Sequence, residues 1–274
     1  MQLFVLISYL IVVVALGFSG KKSPKRRDTT HYLLAGRKLS LPGFVVTLVS
    51  TWYGGIIGIG ENTYLYGFQT WTIFGLPYYI FAIIFAFFVA GKINNLSTIS
   101  LPDQFYQHYG KVPGVIGAIY ILILSSPAPY LLSVGILVNH ITGLNYEISL
   151  ILITLISVSY IWNGGLKAVI RTDIFQFILM FLGFALLLFY SAHFSDFSLE
   201  IFKKIPSNHF HPTGGASGQY IAAWFFIALW TFVDPGFYQR CAAAKSPRTA
   251  RNGILLSVCF WSVSYTHLRA HETS

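Results

Sequence analysis

Long apolar segments constrain this chain more than any other feature of its sequence. As α-helices, runs of about 17 to 25 residues are long enough to cross a hydrocarbon layer roughly 30 Å thick. Charged residues make up 10% of the chain, against about a quarter in a soluble domain. The sequence therefore predicts an all-α fold, a polytopic transmembrane helical bundle. The apolar runs lie at residues 2–18, 41–67, 71–91, 113–138, 147–162, 168–192 and 218–236, and an eighth begins near residue 252.

The positions of the basic residues predict how the helices are oriented. The net charge of +9 does not indicate nucleic-acid binding, because the lysines and arginines lie between apolar runs and form no separate basic domain. Loops rich in lysine and arginine stay preferentially on the cytoplasmic side of the bilayer. Four alternate loops, at residues 19–40, 92–112, 163–173 and 237–251, hold all but three of the 18 basic residues. We therefore expect these loops inside, the N-terminus outside, and a multi-pass protein of the plasma or inner membrane.

The sequence contains no pattern typical of an enzyme. Cys241 and Cys259 lack the paired spacing of a zinc site. The histidines do not form the H-E-x-x-H pattern of a zinc protease, and the acidic residues form no paired cluster. A loop metal site at His209 and His211 is the alternative, but a solvated loop is the simpler interpretation. We expect no catalytic residues, and the sequence does not predict an oligomeric state.

The last dozen residues differ from the rest of the chain. Residues 263–273 (VSYTHLRAHET) turn abruptly polar in the middle of an apolar segment, without a proline or a capping residue. Read through the genetic code, they match a translated transposase-type sequencing adapter. We expect residues 1–262 to be the N-terminal part of a membrane domain and residues 263–274 to be adapter read-through. The alternative is a natural polar tail.

Two of the apolar runs carry residues that interrupt helices. In the second run, four glycines fall within residues 54–60, and Glu61 follows. In the seventh run, Asp234 is followed by a proline and a glycine. A broken helix is tolerated in a membrane only where protein or a water-filled cavity satisfies its backbone, and paired breaks indicate a transporter site. For the glycines, the alternative is close helix packing.

Acidic residues inside apolar runs are functional candidates, because a lone charge in the hydrocarbon core is costly. Glu61, Asp173 and Asp234 are the three candidates, and the alternative for each is an interfacial position that reaches water. Trp52, Tyr53 and Trp230 lie beside the two predicted breaks. They are candidates for an aromatic box around a solute, including a cation held over a ring face. Packing or interfacial aromatics are the alternative.

A motif at the end of the fifth run carries a family resemblance. Residues 163–176 (NGGLKAVIRTDIFQ) closely resemble the G-G-L-x-A-V-x-x-T-D-x-x-Q run of the sodium:solute symporter family. Three further segments agree in the same order, at residues 36–39 (GRKL), 100–105 (SLPDQF) and 239–246 (QRCAAAKS). The resemblance covers about residues 1–262.

The resemblance implies an inverted-repeat transporter core of ten helices with two broken helices, here preceded by one extra helix and truncated after about eight helices. In the family, backbone carbonyls of the first broken helix hold a sodium ion, at positions that correspond to Leu48 and Thr51. Its hydroxyl ligands belong to a helix that lies beyond this sequence. The acid of the T-D pair, Asp173, corresponds to a residue on the sodium exit path. We expect sodium to be the only metal ion bound.

The resemblance also implies solute contacts from both broken helices. The positions concerned, with Glu61 added for its charge, are Ser50, Trp52, Gly55, Glu61, Trp230 and Asp234. A sugar is disfavoured, because Gly55 and Phe74 stand where sugar carriers have amide and carboxylate groups. Residues 51–55 weakly resemble the choline-transporting branch, so an organic cation or zwitterion is the expected solute. The predicted function is sodium-coupled symport by alternating access. The alternative is a symporter-like sensor module whose output domain is lost by truncation.

Overall fold

The computed structural model describes residues 1–19, 29–52, 56–194 and 205–268, and within these ranges the fold is helical. The only bridge outside helices in the described residues is a parallel one between Leu39 and Ala244. Four described helical stretches, the second and fourth of them interrupted, are long and apolar enough to cross a membrane: Phe68–Asn95, Lys111–Thr142, Gly164–Tyr190 and Gly218–Ala243. Three shorter helices are also apolar, Gln2–Phe18, Leu41–Trp52 and Tyr146–Trp162. The all-α prediction is therefore confirmed.

The helices follow the predicted order along the chain. They are α1 (Gln2–Phe18), α2 (Thr29–Leu34), α3 (Leu41–Trp52), α4 (Ile56–Tyr66), α5 (Phe68–Asn95), α6 (Leu101–Tyr109), α7 (Lys111–Leu124), α8 (Ala128–Thr142), α9 (Tyr146–Trp162), α10 (Gly164–Tyr190), α11 (Gly218–Ile227), α12 (Pro235–Ala243) and α13 (Pro247–Leu268). Helix α5 contains two wide π-type turns, at Trp71–Gly75 and Ala86–Ala90.

Three predicted runs differ in detail from the observed helices. The second run contains α3 and α4, and residues 53–55 between them lie outside the described residues. The fourth run is divided into α7 and α8 at residues 125–127, because a residue before proline is disfavoured in helical geometry. The eighth run, predicted to begin near residue 252, corresponds to α13, which starts at Pro247 and continues to Leu268. Its backbone does not change at residue 262, so the adapter boundary stays a prediction.

The buried core lies where α3 meets the C-terminal helices. Helix α3 packs against α10 on one side and α13 on the other. The largest fully buried side chains come from α3, α5, α12 and α13: Phe44, Phe85, Phe237 and Trp261. Helices α7 to α10 instead carry many exposed large apolar side chains, which suits contact with lipid. The core thus fixes α3, which precedes the first predicted break, against α12, which follows the second.

Residues 29–40 form a strap across one end of the bundle. The guanidinium of Arg37 donates to three carbonyl oxygens at the end of α5: those of Asn94 (3.3 Å), Leu96 (2.7 Å) and Thr98 (3.0 Å). Leu39 pairs with the backbone after α12, donating to the carbonyl of Ala243 at 3.0 Å. The strap therefore ties the ends of α5 and α12 together.

The predicted inside loop at residues 163–173 reaches the same end of the bundle. The Tyr32 hydroxyl of the strap donates to the Ile161 carbonyl at 3.0 Å. Arg171 donates to the carbonyls of Leu16 and Gly17 at the end of α1, both at 3.0 Å. All four loops that the charge pattern assigns to one side thus meet at one end of the molecule. Which side of the membrane that end faces stays a prediction.

Gly165 provides a test of this packing. The helical run Tyr146–Phe194 is kinked there, with φ 54° and ψ −149°, and an added Cβ would collide with the Tyr32 carbonyl. Left-handed φ alone costs a non-glycine residue about 1–2 kcal/mol. We expect Gly165→Ala to lower the thermal unfolding midpoint of the purified protein in detergent by several degrees. Gly183→Ala is the matched control on α10, since open space surrounds Gly183. Equal midpoints for the two variants would contradict this account.

Candidate functional site

The apolar segment that contains Asp234 is interrupted at that residue. Residues Ala228–Phe232 form a tight 3-10 turn, and Val233 leaves helical geometry with φ −117° and ψ 2°. Asp234 is extended, with φ −63° and ψ 116°, and α12 begins at Pro235. Proline is favoured at a first helical position because its missing N–H needs no partner there. The predicted second break is therefore present in the structure.

The Asp234 carboxylate satisfies the backbone that the break exposes. Its Oδ1 accepts hydrogen bonds from the N–H groups of Gly236 (2.6 Å) and Phe237 (3.1 Å), which are among the first N–H groups of α12. Such a cap, with its negative charge at the positive end of a helix, is stabilising. Oδ2 accepts a hydrogen bond from the Trp230 indole at 3.0 Å. One carboxylate thus caps α12 and also fixes the orientation of the Trp230 ring.

A cavity of about 430 Å³, the aromatic cavity, lies between the two predicted breaks. Five of the predicted site residues line it: Leu48, Thr51, Trp52, Trp230 and Asp234. The others that line it come from α4, α5, α8 and the start of α12: Gly58, Ile59, Asn62, Phe74, Tyr78, Tyr130, Gly236 and Phe237. Its size is that of a small-molecule site. Residues from both predicted breaks therefore meet around one space.

Trp52 is held in this cavity by other rings. Its ring centroid lies 5.1 Å from that of Tyr78 in an edge-on arrangement, and 5.1 Å from that of Trp261. Contacts of this kind add to the energy of apolar burial and fix ring orientation. The aromatic wall of the cavity is therefore built into the core and needs no ligand to form it.

A second cavity of about 650 Å³, the polar cavity, borders the first. The two share Thr51, Tyr130, Trp230, Asp234 and Gly236. The hydrophilic residues found only in the polar cavity are Ser100, Ser125, Ser126, Gln239 and Arg240. Asp234 and Trp230 thus lie at the boundary between the two cavities.

Asp173 lies behind α3 rather than in either cavity. It is only 6% exposed, and its Oδ2 is buried without a hydrogen-bond partner among the described residues. The side chain of Thr47 interacts with its carboxylate. Ser50 donates to the backbone carbonyl of Asp173 at 3.2 Å, which ties α3 to α10. A buried carboxylate oxygen without a donor suits a cation, because burial of unpaired charge is costly.

Arg240 belongs to the stretch that the sequence predicts as an inside loop, residues 237–251. In the structure it belongs to α12, is 6% exposed and reaches α3. Its Nη2 donates to the hydroxyls of Thr51 (2.8 Å) and Thr47 (3.2 Å). A sequence signal was present, since Arg240 is followed by Cys241 and three alanines, and small residues of this kind allow helices to pack closely.

Not every predicted residue reaches the site. Glu61 is exposed and does not line either cavity, whereas its neighbour Asn62 lines the aromatic cavity. The reason is helical geometry, since consecutive residues point about 100° apart around the axis. Ser50 contacts the backbone of Asp173 and lines neither cavity. Gly55 lies outside the described residues.

Comparisons with known proteins agree on one family. A model of the sodium:solute symporter family matches residues 32–269. Among curated proteins, the chain is similar to a putative sodium-dependent multivitamin transporter of Drosophila melanogaster, with 27% identity over 63% of this chain and 29% of that protein. It is also similar to the human high affinity choline transporter 1, with 27% identity over 65% of this chain and 32% of that protein. The chain thus matches about a third of the length of these relatives.

A solved structure shares the fold. It is a substrate-bound, outward-open state of a Na⁺-coupled sialic acid symporter, and it superimposes with a TM-score of 0.82. The match covers 99% of this chain and 59% of the symporter, with 16% sequence identity. At that identity the likeness concerns the arrangement of the helices alone.

The capping role of Asp234 leads to a stability prediction. We expect Asp234→Ala to reduce the free energy of unfolding by about 0.5–2 kcal/mol, the usual cost of losing a helix cap. Asp234→Ser should recover most of this loss, because a serine hydroxyl accepts the same N–H groups. Thermal unfolding of the purified variants in detergent measures both effects. If serine is no better than alanine, the carboxylate does not act as a cap.

Proposed function

The chain belongs to the sodium:solute symporter family, and from this we propose that the protein it forms part of carries out sodium-coupled symport of a small organic solute by alternating access. The observation that carries the proposal is the aromatic cavity. It is bounded on one side by α3 and α4, and on the other by the interruption at Asp234. Broken helices that face each other at a cavity are typical of secondary transporters.

The sodium side of the proposal involves α3 and α10. Leu48 and Thr51 line the aromatic cavity from the C-terminal half of α3, and Thr51 lies in its last turn, where carbonyl oxygens are left without helical partners. Asp173 lies behind the same helix, with one carboxylate oxygen lacking a donor among the described residues. Carbonyl, hydroxyl and carboxylate oxygens are the ligands that hard cations prefer. We assign sodium binding and its exit path to this region.

The solute side involves the aromatic cavity itself. Trp52, Tyr78 and Trp230 supply ring faces, and Asp234 supplies a negative charge at the edge. Ring faces and a carboxylate together attract an organic cation or the cationic part of a zwitterion. The similarity to choline transporters supports the same solute class. Asn62, in place of the predicted Glu61, offers an amide for a polar group of the solute.

Transport is better supported than the alternative, a sensor module. The curated relatives named above are transporters, and the solved structure of similar fold is that of a symporter. The aromatic cavity borders a second cavity, and two adjoining cavities offer a path for a solute through the protein. In the proposed function, the protein works in a lipid bilayer and carries a sodium ion and a small solute as its two substrates.

Uptake by the full-length protein in proteoliposomes tests this function. We expect radiolabelled choline or a zwitterionic amino acid to accumulate under an inward sodium gradient and not under a potassium gradient. Competition by choline, amino acids, sugars and carboxylates then identifies the solute class. Competition by sugars or carboxylates alone would overturn the cation or zwitterion assignment. Uptake that is independent of sodium would overturn the symport itself.

Asp173 and Asp234 lead to a second prediction. We expect Asp173→Asn and Asp234→Asn each to lower sodium-dependent uptake by about tenfold, corresponding to about 1.4 kcal/mol. The physical reason is the loss of a charge that attracts sodium or solute, while the amide keeps the shape of the side chain. Glu147→Gln is the control, because Glu147 is exposed at the start of α9. Equal uptake by all three variants would remove both acids from the mechanism.

A further inference from the structure

Arg240 is the buried residue whose role the proposed function leaves unexplained. Every hydrogen bond it makes within the described residues goes to a neutral oxygen: those of Thr47, Thr51 and Gln239. Its Nε is buried without a hydrogen-bond partner among the described residues. A buried guanidinium is costly unless nearby charges compensate it. The charges that stabilise Arg240 must therefore act across space rather than through direct contact.

Two carboxylates supply that compensation, one from each side. The guanidinium of Arg240 lies near Asp234 at the start of α12, since both groups border the position of Gly236, and it lies near enough to Asp173 on α10 for their opposite charges to attract. Thr47 connects two members of this group, because its side chain accepts a hydrogen bond from Arg240 and interacts with Asp173. Two negative charges and one positive charge leave the cluster with one uncompensated negative charge. The cluster is therefore suited to one further cation.

Arg240 also connects the proposed sodium side of the site with its solute side. Through Thr51 it holds the last turn of α3, and it lines the polar cavity together with Asp234. Gly236 leaves room for the Asp234 carboxylate, since a Cβ there would lie 2.8 Å from its Oδ1, and the same Cβ would be in ordinary contact, at 3.5 Å, with Nη1 of Arg240. A cation that arrives at the α3 side is repelled by the guanidinium and attracted by the carboxylates.

We propose that Arg240 is a tethered cation that sets the sodium affinity of this transporter and links sodium occupancy beside α3 to the solute cavity at Asp234. This inference rests on the proposed sodium symport. Arg240 is a positioning residue in this account, because it contacts the Thr51 side chain and not the solute. It weakens sodium binding, so that bound sodium is released readily after each transport cycle.

The half-saturating sodium concentration of uptake tests this role. We expect Arg240→Gln to lower that concentration by roughly tenfold, because a unit positive charge is removed from a buried cluster. Maximal uptake should fall at the same time, because tightly held sodium leaves slowly. Arg240→Lys keeps the charge, so its half-saturating concentration should stay near that of the wild type. Arg248→Gln, which removes an exposed arginine in α13, is the matched control and should change neither value.

A second variant distinguishes the effect of the lost charge on sodium affinity from a general effect on folding. The double variant Arg240→Gln with Asp234→Asn restores the net charge of the cluster, so we expect its sodium affinity to return towards that of the wild type. Sodium-dependent protection against thermal unfolding in detergent reports this affinity even when uptake is lost. The inference alone is overturned if wild-type uptake requires sodium but Arg240→Gln leaves sodium affinity unchanged or weakens it. A wild-type protein without any response to sodium overturns both the inference and the proposed function.

Discussion

The need to satisfy backbone hydrogen bonds away from water determines the architecture around Asp234. When a helix is interrupted inside an apolar segment, the N–H groups of the next helix lose their partners. Here one carboxylate accepts two of them, and a proline removes another donor from the first turn of α12. The same carboxylate orients the indole of Trp230. The break, its cap and the wall of the cavity therefore form one unit, which explains why residues distant in sequence surround one space.

Arginine has two structural uses in this molecule, and the distribution of basic residues among the predicted loops does not distinguish them. Arg37 and Arg171 donate to carbonyl oxygens at helix ends, where acceptors are unpaired and the helix dipole is negative. Arg240 lies inside the bundle and donates to threonine hydroxyls. A planar guanidinium with five N–H donors serves both purposes. The arginines that mark one end of the bundle therefore also fasten its helices.

The sequence was sufficient for the helices and for much of the cavity, because their determinants are local. Apolar runs predict helices, and a proline after an acid predicts the interruption at Asp234. Burial of Arg240 could not be predicted in the same way, since it depends on α12 packing against α3. Glu61 is a second example. Its charge is evident from the sequence, but the sequence does not show which face of α4 points into the cavity, and Asn62 lines the cavity instead. The run at residues 163–176 identified the family without indicating that Gly165 makes the kink beside Tyr32.

The two ends of α12 are fastened in different ways. At its C-terminal end, the Asn94 amide donates to the carbonyls of Cys241 (2.9 Å) and Ala244 (2.7 Å), so that end is pinned to α5. At its N-terminal end, no hydrogen bond to α5 is present among the described residues, and the contact with α5 is the packing of the Phe237 ring against that of Phe85 at 5.5 Å. A short helix that is hydrogen-bonded to a neighbour at one end and only packed against it at the other pivots most easily about the bonded end. A small tilt of α5 would therefore produce a larger displacement at the opposite tip of α12, where Asp234 lies between the two cavities.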